Sequence, residues 1–176
     1  RVNDWLQGHG LTGQSLALLH AGSSPRWPSK RWPVEHFREL AQVLAGRGIQ
    51  VIWIGGSDDT GLNRALASTT GIAAGGEFSY PELAALARQA VFAVTNDSGP
   101  MHILAAAGLP VYACFGPTDW QRSHALGQEN RVLTNPVACS PCHLKSCPPE
   151  RQHTCLQGIS PAKVIARLET DGKLNN

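Results

Sequence analysis

Three short polar stretches each follow an apolar run: SSPRWPSK (23–30), GGSDD (55–59) and TNDSGPMH (95–102), and GPTD (116–119) repeats the pattern. The third offers the most chemistry. Gly99 lets a ligand approach the backbone, Pro100 suits the first position of a helix, and the free N–H groups beyond it suit a phosphate. Lys30, with Ser23 or Ser24 from a neighbouring loop, could neutralise and hydrogen-bond a diphosphate. Asp97 would repel such an anion. Its carboxylate is better suited to sugar hydroxyls, or to bracing its own loop through an Asx-type turn. Plainer readings stay open for its neighbours, with Lys30 a solvated surface charge and His102 an ordinary helix residue. GPTD alone is an ordinary turn.

Four of the five cysteines form C-x2-C-x4-C-x7-C (Cys139, Cys142, Cys147, Cys155). Four thiolates suit a tetrahedral structural zinc, and His143 and His153 could substitute as ligands. Reduced thiols or disulfides are the alternatives for this loop, residues 139–155. Cys114 lies in an apolar run and is expected in the core.

The elements that must position these residues follow from periodicity. SLALLH (15–20) reads as a buried strand. After Pro33, the spacing of Val34, Phe37, Leu40, Ala41 and Leu44 gives one apolar helical face that ends near Gly46 or Gly48. IQVIWIGG (49–56) is a second strand, and Asp58 or Asp59 can begin the next helix. IAAGG holds a short strand, and Ser79 to Glu82 has capping-box spacing ahead of LAALARQA. VFAVT, PMHILAAAG and PVYACFGPT read as strand, helix and strand. After Asp119 the pattern weakens until RVLT, and Ser160-Pro161 caps a last helix through Leu168. This alternation predicts a doubly wound α/β domain with a parallel sheet of five or six strands. In such a sheet the polar stretches all fall on the carboxyl edge.

A chain of 176 residues is most simply one domain. Its 42% hydrophobic and 16% charged content is that of an ordinary globular protein. A net charge of +2 gives no reason to expect nucleic acid as a partner. No apolar run approaches the roughly 18 residues of a membrane span, and no signal-peptide layout opens the chain, so the expected location is cytoplasmic. Starting at an Arg, the chain reads as a piece of a longer protein.

Lys30-Arg31-Trp32-Pro33 ahead of a helix, then VIWIGGSDD, then TNDSGPMHILAAAGLPVYACFGPTD, resembles the C-terminal half of the family 9 glycosyltransferases, the lipopolysaccharide heptosyltransferases. The resemblance runs from about Ser15 to Leu168. It implies the Rossmann-like second domain of a GT-B enzyme, so that residues 1–176 form one nucleotide-sugar-binding domain without the N-terminal acceptor domain. By the same resemblance Lys30 lies near the donor phosphates, with Ser23 and Ser24 as the hydroxyl residues of that loop. Asp97 contacts the donor sugar, and Ser98, Gly99, Pro100 and His102 receive the pyrophosphate. Either Asp58 or Asp59 faces the adenosine ribose.

The implied reaction is inverting transfer of heptose from ADP-heptose to the lipopolysaccharide inner core, without a required metal, at the inner face of the inner membrane. Lys30 and Asp97 have supporting catalytic roles. The general base of that family lies on the acceptor domain, so this chain alone is expected to bind donor without transferring sugar. A stand-alone nucleotide-sugar-binding module and a zinc-stabilised interaction domain are the other readings.

Overall fold

A computed structural model describes residues 1–174. In chain order the regular elements are α1 (Val2–Gly8), β1 (Leu16–His20), α2 (Val34–Gly46), β2 (Gln50–Trp53), α3 (Thr60–Ala67), β3 (Ile72–Ala73), α4 (Tyr80–Ala87), β4 (Phe92–Asn96), α5 (Gly99–Ala106), β5 (Val111–Phe115), α6 (Trp120–Ser123), β6 (Val132–Thr134), α7 (Thr154–Gln157) and α8 (Pro161–Thr170). The six strands form one sheet in the order β3-β2-β1-β4-β5-β6. Every pairing is parallel. The predicted doubly wound α/β architecture is therefore the observed one, with its topological switch between β1 and β4.

The central strands β1, β4 and β5 are buried along their whole length, because helices cover both faces of the sheet. Side chains alternate between the two faces. Leu19, Trp53, Val94 and Tyr112 enter one core, with Phe37 and Leu40 of α2 and Val164 and Leu168 of α8. Leu18, Ile52, Ala93 and Ala113 enter the other, with Leu86 of α4 and Leu104 of α5. Helix α2 buries Phe37, Leu40, Ala41 and Leu44, the face expected from its spacing. Among the described residues no helix is long and apolar enough to cross a membrane.

Several boundaries differ from the sequence expectation. Helix α5 begins at Gly99, so Pro100 takes its second position. Strand β2 stops at Trp53, and Ser57–Asp59 form a 3-10 turn that leads into α3. The short helix α1 had no sequence signal strong enough to find it, since only Val2 and Leu6 are buried on it.

Two polar devices hold this frame. Asn96, fully buried at the end of β4, donates to Ala21 O (3.0 Å) and Gly22 O (2.9 Å) and accepts from Trp32 N (2.8 Å). Trp32, also buried, donates its indole N–H to Ile159 O at 2.7 Å. At the start of α4 the Glu82 carboxylate takes both the N–H and the hydroxyl of Ser79, at 2.9 and 2.6 Å, and pairs with Arg1.

Asn96→Ala leaves two carbonyls and one N–H without partners in the interior. It should cost about 2–3 kcal/mol in a urea titration. The Ser79 hydroxyl and N–H, with Arg1, hold the Glu82 carboxyl at about 2, below its ordinary value of 4.5. The helix support it gives is therefore complete above pH 4.5 and lost as pH falls through about 2, a loss that Glu82→Gln should abolish in acid titrations.

Candidate functional site

At the switch point the loops after β1, β2 and β4 part to leave a crevice of about 290 Å³. Its wall includes Ser24, Asp58, Tyr80, Ser98, Gly99 and Pro100. Helix α5 points its N-terminus here. The amides of Gly99 and Met101 fall in its first turn, where no carbonyl within the helix can reach them. Ser98, the N-cap, makes no capping bond to them. The end of the helix therefore presents open N–H groups and the positive end of the helix dipole, an anion site.

The Ser98 hydroxyl turns inward instead, 3.0 Å from Nδ1 of His20. The other ring nitrogen of His20 lies 3.3 Å from Asp59 Oδ2. His20 ends β1 and is 2% exposed. Asp59 also accepts from Gly56 N at 3.0 Å. Burial alone would raise the Asp59 pKa, yet the His20 hydrogen bond and charge, the Gly56 N–H and the Arg31 charge together hold it below its ordinary value. An added Cβ on Gly22 or Gly55 would collide with this carboxylate, so both glycines are needed for the close approach.

Beside the crevice, Lys30 Nζ lies 2.8 Å from Asp97 Oδ2. The Thr118 hydroxyl donates to the same oxygen at 2.7 Å. Lys30 sits in a 3-10 turn, Pro28–Lys30, and Asp97 follows β4, so one ion pair ties the loops after β1, β4 and β5. Lys30 is thus no free surface charge, and Asp97 braces neighbouring loops rather than its own. A second cavity of about 250 Å³, lined by Thr118, Asp119, Trp120 and Asn135 among others, continues the carboxyl edge beyond β5.

The candidate residues divide on this geometry. Ser23 is buried and already engaged, donating to Trp27 O (2.9 Å) and accepting from Arg31 Nε (3.1 Å), whereas Ser24 is exposed at the crevice. Asp59 points inward to His20, which leaves the exposed Asp58 for a ligand. His102 is exposed on α5 and does not line the crevice. His20, Tyr80 and Thr118 were not anticipated. A polar residue closing the apolar run SLALLH is a signal that could have found His20, but nothing local reveals Thr118 as a partner of Asp97.

The cysteine loop does not assemble the expected zinc ligands. Among the described residues no group of three or more His, Cys, Asp or Glu side chains is placed to hold a metal ion. His153 is occupied elsewhere, with Nε2 2.6 Å from Ser29 O. Cys155 is buried in α7; burial first, then the nearby Cys147, Cys139 and Cys142, pushes its thiol pKa up. Cys114 is core, as expected. The loop instead grips the Lys30 turn: Ser29 N donates to Lys145 O (3.1 Å) and Ser29 Oγ to Leu144 O (2.6 Å).

Comparison with known proteins agrees with this architecture. The family model of glycosyltransferase family 9 (heptosyltransferase) matches residues 7–153. Lipopolysaccharide heptosyltransferase 2 of Escherichia coli K12 is 32% identical over 148 residues, 80% of this chain and 42% of that protein. A family 9 glycosyl transferase from Veillonella parvula superposes with a TM-score of 0.77 at 30% identity, over 96% of this chain and 49% of that one. E. coli heptosyltransferase WaaC, solved with ADP, has the same fold, with a TM-score of 0.73 at 22% identity over 97% of this chain and 48% of that one. The chain thus spans about half the length of its relatives. With the family model covering most of its residues, this chain belongs to glycosyltransferase family 9, the heptosyltransferase family.

Proposed function

We propose that this chain is the donor-binding domain of an inverting glycosyltransferase that moves heptose from ADP-heptose to the lipopolysaccharide inner core. The observation that carries the reading is the open N-terminus of α5 at the switch point, beside the Lys30–Asp97 pair. The solved relative that contains ADP supports the choice of nucleotide.

In this reading the diphosphate lies on the Gly99 and Met101 amides, with the Lys30 ammonium as its counter-charge. Charge builds on the departing diphosphate as the glycosidic bond breaks, and these fixed donors stabilise it without reorganisation. Both contacts of Asp97 fall on Oδ2, so Oδ1 serves the sugar hydroxyls. At the other end of the crevice the exposed Asp58 takes the ribose hydroxyls, and the ring of Tyr80, 74% exposed, packs on the base. An acceptor hydroxyl attacks the anomeric carbon from the face opposite the diphosphate. Its proton goes to a base outside this chain.

Calorimetric titration with ADP, UDP, GDP and ADP-heptose tests the assignment. ADP should bind selectively, and Lys30→Ala should weaken it at least about tenfold by removing a charge-assisted contact. Tyr80→Ala should weaken ADP but not inorganic pyrophosphate, and Asp97→Ala should act chiefly on ADP-heptose. Equal binding of the three nucleotides, or no loss in Lys30→Ala, would contradict the reading. In a radiolabelled transfer assay this chain alone should show no turnover while a two-domain family 9 heptosyltransferase run beside it does; turnover by the chain alone would place the base within it.

A further inference from the structure

The Asp59–His20–Ser98 array lies outside the roles assigned above. Asp59 is ionised and accepts from Nε2 of His20, so the single proton of a neutral imidazole is fixed on Nε2. Nδ1 is then a bare acceptor, and the Ser98 hydroxyl, 3.0 Å away, is the donor that satisfies it. The hydroxyl has one hydrogen, and Asn96 O, 3.2 Å from Oγ, is its other acceptor within reach. A phosphate oxygen arriving at the N-terminus of α5 competes for that hydrogen, because Ser98 lines the crevice.

We propose that His20 is a positioning residue that couples diphosphate binding to uptake of one proton: it becomes doubly protonated when Ser98 turns its hydroxyl to the ligand. The proton comes from solvent. Nδ1–H then donates to Ser98 Oγ, Nε2–H still donates to Asp59, and Ser98 donates to the phosphate. Every polar atom of the array keeps a partner in both states. Without the proton, Nδ1 and Oγ would face each other as two acceptors in a buried site.

The surroundings favour this assignment. The strands beside His20 offer no competing charge: Thr95 and Asn96 of β4 are neutral, and Trp53 and Ile54 on the β2 side are uncharged. The nearby charges on the flanking loops are Asp59 itself, Arg31, which acts on Asp59, the exposed Asp58, and the Lys30–Asp97 pair, which offset each other. On α5 the exposed His102 is a second imidazole, and the test must separate it.

This inference rests on the donor-site reading, so its test uses two probes. ADP-ribose carries a doubly esterified diphosphate and sulfate is a fully ionised oxyanion; neither titrates near neutrality. Calorimetry in buffers of different ionisation enthalpy reads the protons taken up per ligand. Where the imidazole is neutral in the free protein and doubly protonated in the complex, uptake should approach about one proton, and affinity should rise up to about tenfold for each unit fall in pH. His20→Gln and Ser98→Ala should both abolish uptake, and His102→Ala should leave it in place. Ser98→Ala keeps the buried His20–Asp59 pair, so it decides the matter even if His20→Gln does not fold. Binding without proton uptake, or uptake that survives in Ser98→Ala, overturns the coupling and leaves the donor reading intact. Failure of both probes to bind overturns both.

Discussion

The architecture of the site depends on one buried side chain, Asn96. A parallel sheet must part its loops at the switch point, which leaves backbone groups of those loops in the interior without sheet partners. The Asn96 amide meets three of them: two carbonyls after β1 and the N–H of Trp32 just before α2. Only an uncharged side chain with both donors and an acceptor can do this. Through it the loop that carries Lys30 and the loop that carries Asp97 are set against each other, and the Lys30–Asp97 contact follows from that placement.

Two carboxylates flank a helix terminus suited to anions, and their charges would oppose one. Each is hydrogen-bonded locally, and Asp97 is also paired with a cation. Asp97 meets an ammonium and a hydroxyl, and Asp59 meets an imidazole and a backbone N–H. The same local pairing makes both carboxylates rigid, because breaking either contact would strand a charge in a poorly solvated place.

The cysteine loop contributes by packing and hydrogen bonds. It closes on the Pro28–Lys30 turn through the backbone and hydroxyl of Ser29, with His153 on the third side. Ser29 itself is buried, whereas Lys30 beside it stays partly open to solvent. The turn itself carries only the bonds from Lys30 N–H to Trp27 O and from Arg31 N–H to Pro28 O, so the aim of Lys30 is set largely from outside. Residues far along the chain thereby control a charge placed early in it.

Local sequence determined the strands, the longer helices and their order, though not the short helices α1, α6 and α7, because hydrophobic periodicity and caps act within a few residues: the apolar face of α2 and the Ser79–Glu82 start of α4 were legible without any partner. The parallel carboxyl edge followed from the alternation of elements, and with it the place of Ser98 and Gly99 at the crevice. What the sequence did not determine were the partners. Asp58 and Asp59 are adjacent and chemically alike, yet one faces solvent and the other His20, because only Asp59 fits between Gly22 and Gly55. Zinc is one reading of the four loop cysteines, but among the described residues no such group assembles, and the fold turned His153 to Ser29 and buried Cys155. Such choices depend on contacts across 39 positions for His20–Asp59 and 124 for His153–Ser29, which no local pattern encodes. Tertiary packing alone decided them, since a polar side chain entering the interior must take whichever partner the assembled elements bring within reach.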